Sequence, residues 1–224
     1  MASEVKTNKI SPATSTTVTL GDASDLFQLP ASAEIDIASG ATLDVNGTID
    51  VTGATVTGLS AGKILQVVQS VKTDTASTTV TTGTFADIAG TDQDDAGSVF
   101  CVKITPAAAT SKILVSWSFC VGSGHSGQHV TLKLFRNAVE PLLGDAAGSR
   151  VRSSSTIGIG EYRAIEEGGG QYLDSPSLTS EITYKLQWSQ EDSGTIYMNR
   201  SGTEYDSTAS ERTASTITVM EIGA

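Results

Sequence analysis

The sequence predicts an all-β chain in three parts. Residues 1–34 form an extended N-terminal arm, residues 35–62 a short fibrous β-repeat shaft, and residues 63–224 an antiparallel β-sandwich head of jelly-roll type, with three copies assembled as a homotrimer. Three observations carry this reading. Several separated runs after Lys63 alternate apolar and polar residues with a period of two, the pattern of half-buried antiparallel strands. Clusters of Gly, Asp, Ser and Pro punctuate those runs as turns. Upstream, Ile35 to Leu59 repeats short apolar beats about every six residues, the order of period that marks β-solenoid and fibrous β-structure. Composition agrees: 38% of residues are hydrophobic but only 5% aromatic, and 17% are charged, below the usual quarter.

The arm is polar apart from an apolar cluster, Leu26, Phe27 and Leu29 with Pro30, which follows Gly21-Asp22 and Ser24-Asp25. An arm with so small an anchor reads as a docking tail that orders on a partner. In the shaft, the beats are Ile35 with Ile37, Leu43 with Val45, Ile49 with Val51, and Val56, separated by Gly40, Gly47, Gly53 and Gly58. Segments with so few large side chains cannot close a core within one chain. The simplest partner is an identical chain; the three-fold symmetry is inferred from this shaft together with the resemblance given below. Fully extended, the shaft would span at most about 90 Å. The Ala61-Gly62 step is the expected junction with the head.

In the head, Ile113, Val115, Trp117, Phe119 and Val121 share one face of a strand, with Leu114, Ser116, Ser118 and Cys120 on the other. Ile182, Tyr184, Leu186 and Trp188 form a second inward face. Val130, Leu132 and Leu134 form a third, and Phe100, Val102 and Ile104 a fourth. The last strand, Thr216 to Ile222, carries apolar residues on both faces. Turns are expected at Thr91–Gly97, Pro106–Ser111, Gly122–Gly127, Gly144–Gly148 and Gly168–Gly170. The sum is a sandwich of about eight strands with both Trp in its core. Its edges need covering, which packing around a three-fold axis would supply.

The formal net charge of −11 disfavours nucleic acid and bare anionic membranes, which select clustered Lys and Arg. No run approaches the ~20 apolar residues of a membrane-spanning helix, and the N-terminus shows no secretory signal. Folding in a cytosol is therefore expected, with Cys101 and Cys120 as buried free thiols. His125 and His129 are four apart, but among Gly and Ser between two strands that spacing does not fix their direction. They read as loop residues rather than a metal site. Asp92, Asp94 and Asp95 lack the turn glycine and distal Glu of an EF-hand and read as a surface turn. Glu166-Glu167 before three glycines reads as a solvated loop. GLSAG and GSGHSG are not nucleophile elbows, because the chain offers no helix to follow them. No carboxylate pair for glycoside hydrolysis is indicated. No catalytic activity, cofactor or metal is expected.

At this point the residues carry a family resemblance. The stalk run ATLDVNGTIDVTGATVTGLS, with KILQVVQSVKTDT at 63–75, FADIAGTD at 85–92, SKILVSWSF at 111–119 and GDAAGSR at 144–150, resembles short tail-fibre and virion structural proteins of marine and cyanobacterial bacteriophages. YLDSPSLTSEITYKLQW at 172–188, YMNRSG at 197–202 and RTASTITVMEIGA at 212–224 continue the resemblance. It covers most of the chain from about residue 35, and its C-terminal motifs are the more specific. Such proteins combine an N-terminal virion anchor, a trimeric shaft and a distal head that touches the host, and the head module also ends longer phage proteins. The resemblance implies a virion location after folding in the host cytoplasm. It implies docking to a phage tail or capsid protein through residues 1–34, with Leu26, Phe27 and Leu29 as anchors. It also implies adsorption to a host cell-surface glycan or outer-membrane protein through the head, by multivalent binding. Exposed Tyr and Arg on distal loops favour binding, so Tyr162, Arg163, Tyr172, Tyr197, Arg200 and Tyr205 are the candidate host-contact residues. The chain is short for a fibre, which keeps a capsid-decoration or tail-adaptor role as the alternative. A polysaccharide depolymerase is the third reading.

Overall fold

The computed structural model describes residues 63–223, with residues 37, 41, 42 and 46 as isolated positions before them. The expected arm, with Leu26, Phe27 and Leu29, lies outside the described residues, as does the expected shaft apart from those isolated positions.

Twelve strands are present and no helix among the described residues: β1 (Ile64–Lys72), β2 (Ala76–Val80), β3 (Ala86–Asp87), β4 (Cys101–Ile104), β5 (Lys112–Ser123), β6 (Gln128–Arg136), β7 (Val139–Leu142), β8 (Ser155–Ile159), β9 (Glu166–Asp174), β10 (Ile182–Gln190), β11 (Gly194–Met198) and β12 (Ser215–Ile222). All pairings are antiparallel. One six-stranded sheet runs β1-β12-β5-β9, with β11 and β2 continuing from the end of β5. The other runs β4-β10-β6-β8, with β3 and β7 at its margins.

Eight strands carry the frame. The first pairs with the last (β1·β12), the second with the seventh (β4·β10), the third with the sixth (β5·β9) and the fourth with the fifth (β6·β8). A ribbon paired in this order and rolled so that β12 meets β5 and β10 meets β6 is a jelly roll. The four remaining strands are short additions to it.

The core lies between the sheets, where the alternation places it. Ile113, Val115, Trp117, Phe119 and Val121 of β5 face Ile182, Tyr184, Leu186 and Trp188 of β10 and Val130, Leu132 and Leu134 of β6, all buried. The Phe100 and Phe119 rings meet at 5.6 Å between centroids, within the favourable range for tilted aromatic pairs.

Three expectations need correction. Gly168–Gly170 is the middle of β9 and not a turn. A Cβ on Gly170 would occupy the Trp117 indole and one on Gly168 the Ile157 side chain. The glycines are therefore the space into which those two residues pack. Glu166 and Glu167 accordingly lie on a strand, and Glu167 accepts a hydrogen bond from Ser118 Oγ at 2.6 Å. Cys101 is buried and free as expected, but Cys120 is half-exposed on the outer face of β5, because its parity is that of Ser116 and Ser118.

The frame also buries carboxylates that hydrogen bonds compensate. Glu221 is fully buried on β12. Its two oxygens accept from Gln66 Nε2 at 2.6 Å and from the Ala107 amide at 2.7 Å. Burial alone would raise its pKa, but these bonds, together with Ser111 and the Ala108 amide, outweigh burial and hold the carboxyl below its ordinary 4.5. A depressed carboxyl contributes stability that is full above 4.5 and is lost as pH falls through the lowered value. The urea midpoint is therefore expected to drop as pH is taken below this ordinary value, and Glu221→Gln should flatten that drop.

Candidate functional site

β1 begins at Ile64 opposite Ile222 near the end of the chain, so the chain enters and leaves the sandwich at one end. The connections 105–111, 137–154 and 175–181 belong to that end. The connections 124–127, 160–165, 191–193 and 199–214 belong to the other, because β5, β8 and β10 finish there while β6, β9 and β12 start there.

At this far end three loops are stitched together. Asn199, fully buried at a positive φ of 60°, fixes the start of the longest; Asn is among the few residues that tolerate this backbone region. Its Nδ2 donates to the Lys72 and Asp74 carbonyls, both at 2.8 Å, and its Oδ1 accepts from Ser215 Oγ at 2.7 Å. Gly202 then passes so close to the Ser123 and Tyr162 carbonyls that any Cβ would overlap the Ser123 oxygen. The Thr203 amide donates to the Tyr162 carbonyl at 3.2 Å, and the Tyr162 amide to Ser126 Oγ at 3.1 Å.

This scaffold presents an aromatic and arginine surface. The Arg163 guanidinium lies 5.5 Å from the centroid of the Tyr205 ring, and that of Arg200 4.0 Å from the Tyr197 ring. Both are cation–π distances. Tyr205 is 56% exposed and Tyr162 46%. Glu204 sits between two guanidinium groups, 3.6 Å from Arg200 and 2.5 Å from Arg212. Beside them a concavity of about 400 Å³ is lined by Glu204, Tyr205, Asp206, Ser207, Ser210 and Arg212. It offers carboxylates, hydroxyls, a guanidinium and an aromatic edge. That set can hydrogen-bond hydroxyl groups and cover an apolar ring face.

Of the six candidate contact residues, Tyr162, Arg163, Tyr197, Arg200 and Tyr205 therefore converge at one end. Tyr172 does not join them. It points inward from β9, half-buried and packed against the core. Sequence reasoning missed Glu204, Arg212, Asp206, Ser207 and Ser210. The polar, turn-rich run Gly202–Ser210 was the available signal.

His125 lies in the connection after β5, whereas His129 lies on β6 and not in the loop expected for it. His129 Nδ1 meets Glu191 Oε2 at 2.7 Å on the surface, and the His125 amide donates to Ser123 Oγ at 3.1 Å. Asp92 is turned inward, where its Oδ1 accepts from the Asp94 and Ala96 amides and its Oδ2 from Lys103 Nζ. The hydrogen bond from Lys103 is the main cause that holds Asp92 below its ordinary value. Among the described residues no group of three His, Cys, Asp or Glu side chains is placed to hold a metal ion.

No protein-family model matches the sequence, and no curated protein matches it. Among solved structures, the chain is similar to the structure of infectious bursal disease virus Gx strain at 13% identity and TM-score 0.36, over 79% of this chain and 44% of that one. It is also similar to the infectious bursal disease virus VP2 subviral particle at 10% identity and TM-score 0.32, over 70% of this chain and 39% of that one. The chain spans less than half the length of either.

Proposed function

We propose that this chain is a bacteriophage virion protein of the fibre type. Residues 1–34 attach it to a tail or capsid protein, and the jelly-roll head, as a homotrimer, binds a host cell-surface glycan without catalysis. One observation carries the binding role: the exposed Tyr and Arg side chains converge at the end of the sandwich opposite the one where the chain enters. A head held from its entry end presents that surface outward. Aromatic faces can cover the C–H face of a sugar while Arg, Glu and Asp bond its hydroxyls, and three such sites on one assembly raise avidity without a new contact. The resemblance of the stalk and head motifs to phage fibre and virion proteins supports the virion placement.

The test is binding of the full-length protein to an array of bacterial surface polysaccharides, beside Arg163→Ala/Tyr205→Ala. Wild type is expected to bind a subset of the array, and the double variant to bind it at least about tenfold more weakly. Equal binding by the two proteins, or capture by outer-membrane protein and by no polysaccharide, overturns the glycan reading.

A further inference from the structure

The two sheets present unlike outer faces. That of the β10 sheet carries ion pairs: Lys185 with Asp87 at 2.6 Å and Lys133 with Glu140 at 3.0 Å. Its lysines are half-buried and also lie over aromatic rings, Lys133 4.5 Å from the Phe85 centroid and Lys185 5.9 Å from that of Phe135. On the β5 sheet, register places Val67, Met220, Leu114 and Leu173 side by side across β1, β12, β5 and β9. With strands about 4.8 Å apart, this apolar row is roughly 14 Å long. Val67 is 54% exposed and Leu173 46%, so nothing in the sandwich covers it. The next two rows toward the loop end, Gln69 to Gln171 and Val71 to Gly169, hold no charged side chain. Charge returns only at the margins, with Lys112 and Glu167.

We propose that this face is where a second copy of the chain packs. The inference rests on the self-assembly part of the proposed function and not on its glycan part, and it names the surface. Charge selects the self-partner. Where copies of one chain meet around a three-fold axis, residues near the axis lie against their own copies, so any charge there faces its like at close range, and close like charges are destabilising. On a chain of net charge −11 close approach of copies is opposed by their like charge, and the row from Val67 to Leu173 adds no charge of its own to the contact. The place of chain entry points the same way. β1 starts at Ile64 on the margin of this face, and Ile64 and Leu65 extend its exposed apolar surface. The residues upstream, whose repeat pattern predicts self-association, are therefore joined to the sandwich beside the row.

The test is the solution mass of the full-length protein by light scattering over about 1–100 μM. Wild type is expected at a multiple of 23.1 kDa, three-fold in the proposed assembly, across the range, and Val67→Glu/Leu173→Glu, held by the upstream repeats alone, to fall to a single chain at its dilute end. Thr131→Glu, on the other sheet, should keep the wild-type mass. Should the Glu pair fail to fold by circular dichroism, Val67→Thr/Leu173→Thr keeps strand propensity and is expected to weaken assembly about tenfold. A monomeric wild type overturns the inference, as does a folded Glu or Thr pair that assembles as wild type does. None of these outcomes decides whether a single head recognises a glycan, which the array reads separately.

Discussion

Asp174→Ala is expected to destabilise the sandwich by about 3–5 kcal/mol, the cost of orphaning a buried charge partner. The carboxylate is buried on β9 and accepts from Arg136 Nη1 at 2.9 and 3.0 Å and from the Tyr184 hydroxyl at 2.7 Å. Arg136 ends β6 and Tyr184 lies in β10, so this one side chain ties the two sheets across the core. Burial, reinforced by the bond to Asp174, holds the Tyr184 phenol well above its ordinary value and keeps it a donor. Without Asp174 a guanidinium and a phenol lose their acceptor together. The check is urea denaturation, where the midpoint should fall at unchanged slope. Asp174→Asn keeps the shape and one acceptor oxygen and should cost less, about 1–3 kcal/mol. Asp174→Leu combined with Arg136→Met should cost less than Asp174→Ala, because no charge is left unpaired.

Gly170→Ala is the second large effect, expected at about 1–3 kcal/mol from overpacking. The added Cβ would meet the six-membered ring of Trp117, which is buried in the core and cannot retreat without displacing its neighbours. Trp117 emission should shift with it. Gly160→Ala is the control. A Cβ there meets open space, and the change should stay within about 0.5 kcal/mol.

The same glycines show what the sequence could and could not convey. Ile113–Val121 and Ile182–Trp188 were legible because one face of each strand is wholly buried, so the period of two survives in the residue types themselves. In β9 the inward parity runs Glu166, Gly168, Gly170, Tyr172 and Asp174, with no aliphatic side chain among them. Their periodicity is carried by the large side chains opposite, Ile157 and Trp117, which come from elsewhere in the chain. Three adjacent glycines read locally as a turn. That misreading also misplaced Tyr172, whose inward parity follows once β9 is a strand. Buried Lys72 and Glu221 were illegible for a related reason. Each depends on a partner brought by the fold, Asp74 across a bend for the lysine and Gln66 across the β1·β12 pair for the glutamate. At the loop end, residue type alone picked out Tyr162, Arg163, Tyr197, Arg200 and Tyr205. Glu204 and Arg212 become meaningful only when the 199–214 loop folds back on itself.

Two surfaces thus divide the proposed work, a sheet face with an apolar row for assembly and an aromatic loop end for binding. The most direct test of that division is the concentration dependence of binding of labelled full-length protein to its array-identified polysaccharide, for wild type, Arg163→Ala/Tyr205→Ala and Val67→Glu/Leu173→Glu in parallel. The account predicts that the loop variant keeps the wild-type mass but loses binding. The sheet variant should bind with the weak, single-site affinity of one head and lose the avidity of the assembly. A loop variant that binds as wild type does would contradict it.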